Sequence, residues 1–190
     1  MDIILASASP RRKEILENTN LKFRIIKSDI DEKIFEGESP QQVAMRLSFE
    51  KCMDIACNNE SSLVIGADTI VVLEDMILGK PKDKDEAYCM LKKLSNKVHQ
   101  VITGISLINL EGNKKIIDYV VSNVKFKDLS EEDIKDYIQT NESLDKAGAY
   151  GVQEWIGYVG VTKMEGSYFN VMGFPICRVY ETLRQLISKD

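Results

Sequence analysis

Residues 63–79, LVIGADTIVVLEDMILG, constrain this chain more than any other segment. Leu63, Val64 and Ile65 predict a buried strand, Gly66–Thr69 a kink, and the apolar residues beyond it a hairpin turning at Glu74-Asp75. Into this run the chain inserts Asp68, and buried strands seldom carry an ionisable residue. A carboxylate delivered at a strand end beside small residues can hold a metal or act as general base toward water. The plainer alternative is a turn aspartate satisfied by backbone N–H groups.

Helical and strand-like segments intermix around this run. Residues 2–6 predict a short buried strand, and Ser9-Pro10 open a helix reaching Asn18. Residues 22–28 predict a strand, and 40–57 a helix opened by Pro40. Over 83–95, Ala87, Met90, Leu91 and Leu94 recur at helical spacing. Residues 98–108 and 114–126 predict two strands turning at Glu111-Gly112-Asn113, and Ser130 caps a further helix with Glu131, Glu132 and Asp133 in its first turn. The glycine-rich stretch 146–173 predicts strands and loops. A last helix carries Val179, Leu183, Leu186 and Ile187 on one face. No repeat, low-complexity tract or linker interrupts the pattern. The fold class is therefore α/β, and the 98–126 hairpin requires a mixed rather than a purely parallel sheet.

The 190 residues suit one domain, or one domain with two lobes about a cleft. A net charge of -5 argues against a general nucleic-acid binder, which needs clustered Lys and Arg, yet leaves room for a local basic pocket. Four cysteines without a CxxC pair, and one histidine, argue against a structural zinc site. Cys52, Cys57, Cys89 and Cys177 predict free core thiols in a reducing cytosol, and His99 a structural role. No run predicts a signal peptide or a membrane span, so a cytoplasmic protein without membrane partners is expected.

Five further segments carry side chains suited to chemistry. In Ser7-Ala8-Ser9-Pro10-Arg11-Arg12 a strand ends and a helix begins, presenting free N–H groups and a positive dipole end suited to phosphate. That dipole disfavours Arg11 and Arg12 in the first turn, a small argument for function over an ordinary capped helix with two solvated arginines. Lys80, held between Gly79 and Pro81, could meet a phosphate as a point charge or serve as a surface turn lysine. Lys51 follows Val43 and Leu47 in an apolar stripe, as a cleft-facing amine or, more simply, a snorkelling lysine. In DKAGAYGVQ, residues 145–153, small residues permit close approach, and Gln153 has the donor and acceptor needed to read a base edge. EGSYFNVMGFP, residues 165–175, places polar groups among glycines and fits a cleft wall or a packed loop.

Taken together, LASASPRRKEIL, IGADTIVVLEDMILGKP, HQVITG, DKAGAYGVQ and EGSYFNVMGFP resemble the Maf family of nucleotide pyrophosphatases, in family order and across nearly the whole chain. The resemblance implies a mixed twisted sheet flanked by helices, two lobes around a central cleft, an often homodimeric state, and a metal-dependent cut between the α and β phosphates of a nucleoside triphosphate. Gln153 resembles the branch acting on dTTP and UTP, where other branches carry Glu. The family's specificity positions fall on Arg11, Thr69 and Gln153, and its proton acceptor on Asp68. On that footing Ser7, Ser9, Arg11, Arg12, Lys51 and Lys80 are expected around the triphosphate. Asp68 and Glu32 are expected to hold a divalent metal, Mg²⁺ or alternatively Mn²⁺, and Thr69 and Gln153 to read the pyrimidine.

The chain departs from the family pattern at Ser95-Asn96-Lys97, where Ser-Gly-Arg is common, and at Glu154, where Gly usually follows the Gln. The first changes an expected phosphate contact, and the second sets a carboxylate beside the expected base reader. Two rival readings are an enzyme for another or modified base, and a nucleotide-binding regulator of cell division.

Overall fold

The computed structural model describes residues 2–187. In chain order the elements are β1 (Ile3–Leu5), α1 (Pro10–Glu17), β2 (Arg24–Ile25), α2 (Pro40–Ala56), β3 (Leu63–Leu73), β4 (Met76–Leu78), α3 (Lys84–Leu94), β5 (Val98–Asn109), β6 (Lys114–Phe126) and α4 (Glu131–Gln139). A 3-10 turn (Ala147–Ala149), α5 (Trp155–Gly160), β7 (Val161–Glu165), α6 (Tyr168–Val171) and α7 (Ile176–Ile187) complete them. The strands form one mixed sheet in the order β2-β1-β3-β5-β6-β7, with β4 on β3. β1 runs parallel to β2 and β3, whereas β3–β4 and β6–β7 are antiparallel.

Local chemistry accounts for most helix starts. Ser9 caps α1 with Pro10 in its first turn, Ser39 and Gln42 form a capping box on α2, and Ser130 and Asp133 form one on α4. Ala87, Met90, Leu91 and Leu94 are all buried on α3. The β3–β4 turn needs φ of 50° and 68° at Glu74 and Asp75, a left-handed pair that matches the strand twist of a two-residue hairpin.

Several expectations are corrected. The predicted kink at Gly66–Thr69 is absent: β3 runs unbroken over eleven residues, so Asp68 lies inside a strand rather than at its end. Strand 22–28 shrinks to Arg24–Ile25, whose side chains are exposed and gain little from further pairing. Residues 146–173 hold the helices α5 and α6 as well as β7. Ile187 is exposed at the end of α7 while Val179, Leu183 and Leu186 are buried. Of the four free cysteines only Cys52 is a core thiol; Cys57, Cys89 and Cys177 are exposed.

The chain divides into two compact units. One holds the residues up to Thr69, Thr103–Val120 and those from Gly173 onward; the other holds Ile70–Ile102 and Val121–Met172. In the first, Ile4, Ala6 and Val64 pack on Cys52, Ile55 and Ala56 of α2. Gly66 makes that packing close, because a Cβ there would stand 2.3 Å from the carbonyl oxygen of Ser48 and 2.8 Å from Cβ of Cys52. In the second, Leu91 and Leu94 of α3, Phe126, and Ile134 and Tyr137 of α4 share a core with Tyr150 and Ile156. His99 is sealed there, its Nε2 hydrogen-bonded to the Tyr150 hydroxyl at 2.7 Å and its ring against Phe126 and Tyr150. Burial alone holds its pKa down to about 4, consistent with the structural role expected for it.

Candidate active site

In the first unit the close approach of α2 to β3 carries Lys51 onto Asp68. Lys51 Nζ lies 2.5 Å from Asp68 Oδ1 and 2.7 Å from Glu32 Oε1. The Lys51 and Asp68 side chains are 12% and 8% exposed, so the pair is largely withdrawn from water, while Glu32 stands at the exposed edge at 44%. Lys51 is thus the partner of a buried carboxylate rather than a snorkelling surface lysine. Burial raises the Asp68 pKa; the charges of Lys51 and Arg12 oppose that rise. A carboxylate so placed is a better proton acceptor than an exposed aspartate.

Arg12 is held from several sides. Its Nε donates to the carbonyl of Gly173 at 2.8 Å, Nη1 to the carbonyl of Ala67 at 2.8 Å and to Ser7 Oγ at 3.4 Å, and Nη2 to Thr69 Oγ1 at 3.1 Å. Most of its five N–H groups are therefore spent on protein acceptors. Burial lowers its pKa, with Asp68 opposing and Arg11 reinforcing. Ser7 Oγ also accepts from the Ser9 backbone N–H, and Ser9 Oγ from that of Arg12. Thr69 Oγ1 shares a hydrogen bond with Thr103 Oγ1 at 3.0 Å and lies 3.3 Å from the Gly173 carbonyl oxygen.

Of the residues singled out from the sequence, Ser7, Ser9, Arg11, Arg12, Glu32, Lys51, Asp68 and Thr69 belong to this unit. The contacts just described join Ser7, Ser9, Arg12 and Thr69 into one network, and Glu32, Lys51 and Asp68 into a second. The two networks meet electrostatically through Arg12 and Asp68. Arg11 stands beside Arg12 in the first turn of α1. The sequence reading missed Thr103 and the Gly173 carbonyl. Both lie in segments noted for composition, HQVITG and EGSYFNVMGFP, but neither a threonine in a strand nor a backbone oxygen carries a signal of its own.

Lys80 and Gln153 belong to the second unit. Lys80 is exposed after β4, and the Gly79 carbonyl before it accepts from the Gly148 N–H at 3.0 Å. Gln153 is half-buried, and its Nε2 donates to Glu154 Oε1 at 3.2 Å. At the other departure from the family pattern, Lys97 pairs with Glu74 at 2.9 Å, on the exposed surface.

Asp68 and Glu32 are the carboxylates that could hold a metal here. Both reach the same ammonium, so their oxygens converge on one point where a small cation could replace it, and oxygen donors suit a hard divalent ion. Among the described residues no group of three or more His, Cys, Asp or Glu side chains is arranged to hold an ion. A cation would therefore draw its remaining ligands from phosphate and water, as Mg²⁺ commonly does. No helix of the described residues is long and apolar enough to cross a membrane.

A family model described as Maf-like protein matches residues 2–186. The chain is 62% identical over 188 residues to a dTTP/UTP pyrophosphatase of Clostridioides difficile (strain 630), spanning 99% of this chain and 96% of that one. It is 48% identical over 187 residues to a dTTP/UTP pyrophosphatase of Thermoanaerobacter sp. (strain X514), spanning 97% and 96% respectively. Among solved structures, a HAM1 protein from Coxiella burnetii matches over 100% of both chains with a TM-score of 0.56 and 12% identity, a likeness of fold alone.

Proposed function

Because the chain belongs to the Maf-like proteins, we propose that it hydrolyses dTTP and UTP to the nucleoside monophosphate and diphosphate. The observation that carries the chemistry is Asp68, a buried carboxylate within β3 held by Lys51 beside Glu32. Asp68 orients a water and takes its proton as the water oxygen bonds to the α-phosphorus. The bond from that phosphorus to the α–β bridging oxygen breaks, and diphosphate leaves with the electron pair. Phosphoryl transfer asks chiefly for positioning and charge neutralisation, which cationic side chains can supply.

Arg11, Lys51 and Lys80 bind phosphate oxygens in this reading, with the Ser7–Ser9 turn and the N-terminal N–H groups of α1 beside them. Arg12, whose donors are mostly spent on Ser7, Ala67, Thr69 and Gly173, adds its charge and braces the turn. Thr69 and Gln153 read the pyrimidine. Asp68 and Glu32 would hold the divalent metal, Mg²⁺ in preference to Mn²⁺, and when bound it neutralises charge on the phosphate oxygens. Lys51, which pairs with both carboxylates here, would then be available to the triphosphate.

The same reading makes the chain one functional domain, a homodimer, without nucleic-acid partners, in the cytoplasm. The net charge of -5 supports the absence of nucleic acid, and the three exposed thiols suit a reducing compartment. Cleaning of the nucleotide pool is the use we assign to it.

A nucleotide panel with Mg²⁺ tests the reaction, with diphosphate followed and the second product identified. Release of diphosphate and monophosphate from dTTP and UTP is the expected result. Activity confined to another base would overturn the substrate assignment and leave the reaction. No release from any triphosphate by folded protein would overturn both.

A further inference from the structure

Glu154, the residue after Gln153, sits in a network of buried polar groups in the second unit. Its carboxylate is only 13% exposed. Lys146 Nζ, on a side chain 8% exposed, lies 2.6 Å from Glu154 Oε1, and the Tyr137 hydroxyl donates to Glu154 Oε2. Lys146 is itself held by Asp145 Oδ1 at 2.6 Å and by the Glu142 carbonyl, and Tyr137 accepts from the Gly151 N–H at 3.3 Å. Burying these groups together is tolerable because each donor has an acceptor.

Gln153 joins this network through one group. Its Nε2 donates to Glu154 Oε1 at 3.2 Å. An ionised carboxylate only accepts, so the Gln153 amide must turn its NH₂ toward Glu154 and leave its carbonyl Oε1 for a ligand. Gly151 makes room for this arrangement: a Cβ there would stand 2.6 Å from Glu154 Cδ and 2.7 Å from Gln153 Nε2. Without Glu154 the amide could present either end, because a glutamine side chain is a donor and an acceptor.

We propose that Glu154 is a positioning residue for base selectivity, fixing the Gln153 amide with its carbonyl outward so that the site takes bases with an imide N3–H and rejects cytosine. Uracil and thymine offer a donor at N3, which that carbonyl accepts. Cytosine offers an acceptor at N3, and two acceptors facing each other lose a hydrogen bond and add repulsion. The assignment rests on Gln153 being the base reader.

Two measurements on wild type, Glu154→Ala and Glu154→Gln test it. The first follows the side-chain amide protons of Gln153 by ¹⁵N NMR, assigned by their loss in Gln153→Ala, and needs no substrate. Slow exchange and hindered rotation in wild type, released in Glu154→Ala, are expected. Equal freedom in both overturns the lock whatever the enzyme hydrolyses. The second measures kcat/KM for UTP and CTP. The UTP-to-CTP ratio should fall roughly tenfold in Glu154→Ala, on the order of one hydrogen bond's discrimination. Glu154→Gln, which keeps size and hydrogen bonding but can donate to Gln153, should fall between. A general loss of packing would lower both rates without moving the ratio, so an unchanged ratio in either folded variant overturns the selectivity role. Wild-type protein that turns over neither UTP nor dTTP would overturn the proposed function instead, and the amide measurement alone would then decide the lock.

Discussion

The ammonium of Lys51 lies 2.5 Å from Oδ1 of Asp68, with both side chains at least seven-eighths buried. The partners come from different elements, α2 and β3, and neither charge would be tolerated there alone. Asp68→Asn should retain the fold and lose diphosphate release, while Lys51→Met should destabilise the protein by about 3 kcal/mol by stranding a buried carboxylate. The double variant should be more stable than the sum of the two single losses predicts, because it strands nothing. Urea unfolding of all four proteins checks the coupling; additive losses would show that the pair is not a unit. Near wild-type turnover in Asp68→Asn would remove the proton-acceptor role.

Replacing Gly66 with Ala should loosen the same site from behind. The added Cβ would meet the Ser48 carbonyl oxygen at 2.3 Å, and backbone cannot rotate away as a side chain can. A loss of about 1–3 kcal/mol is expected from overpacking, together with reduced turnover as α2 shifts and takes Lys51 with it. The urea midpoint and the rate of diphosphate release measure the two effects. An unchanged midpoint would mean that the helix does not depend on this contact.

Gln153→Glu should alter base preference more than stability, because Gln153 is half-buried and its partner Glu154 would face a second carboxylate. A fall of at least tenfold in kcat/KM for dTTP and UTP, with a changed ranking across a nucleotide panel, is expected from losing a matched polar contact. The base-reader role fails if the ranking stays as it was.

His99 predicts a pH dependence. Its pKa falls from 6.5 to about 4 on folding, so the unfolded chain binds the proton more tightly. Its contribution is therefore whole above about pH 6.5, shrinks as the pH drops, and is lost below about 4, for a total of about 3 kcal/mol. The group facing it is Tyr150, whose own pKa burial raises, so no nearby anion offsets the cost of charging the ring. His99→Gln should flatten the stability curve between pH 6.5 and 4 relative to wild type. Parallel curves across that window would contradict the burial argument.

Much of this protein is local, and that part was legible in its residues. Caps at Ser9 and Ser130 act within three positions of themselves, Pro40 opens its own helix, and the stripe Ala87–Leu94 repeats within one helix, so those elements could be read directly. The family-like order of the segments that carry Arg11, Arg12, Asp68, Lys80 and Gln153 was legible for the same reason, as was the oddity of an aspartate in an apolar run. Residues 146–173 were misread because α5 and α6 lack a strong local helix signal amid glycines; Ile156, Gly157 and Asn170 are helical and buried in the folded unit. What each charge does was decided by partners far along the chain. Arg12 meets Gly173 from 161 positions away, and Lys51 meets Asp68 from 17. Glu154 read as a departure until Tyr137 folded onto it from 17 residues upstream. Sequence determines which groups are present and how each segment prefers to turn. Only burial, by removing water as the alternative partner, decides which of those groups must find one another.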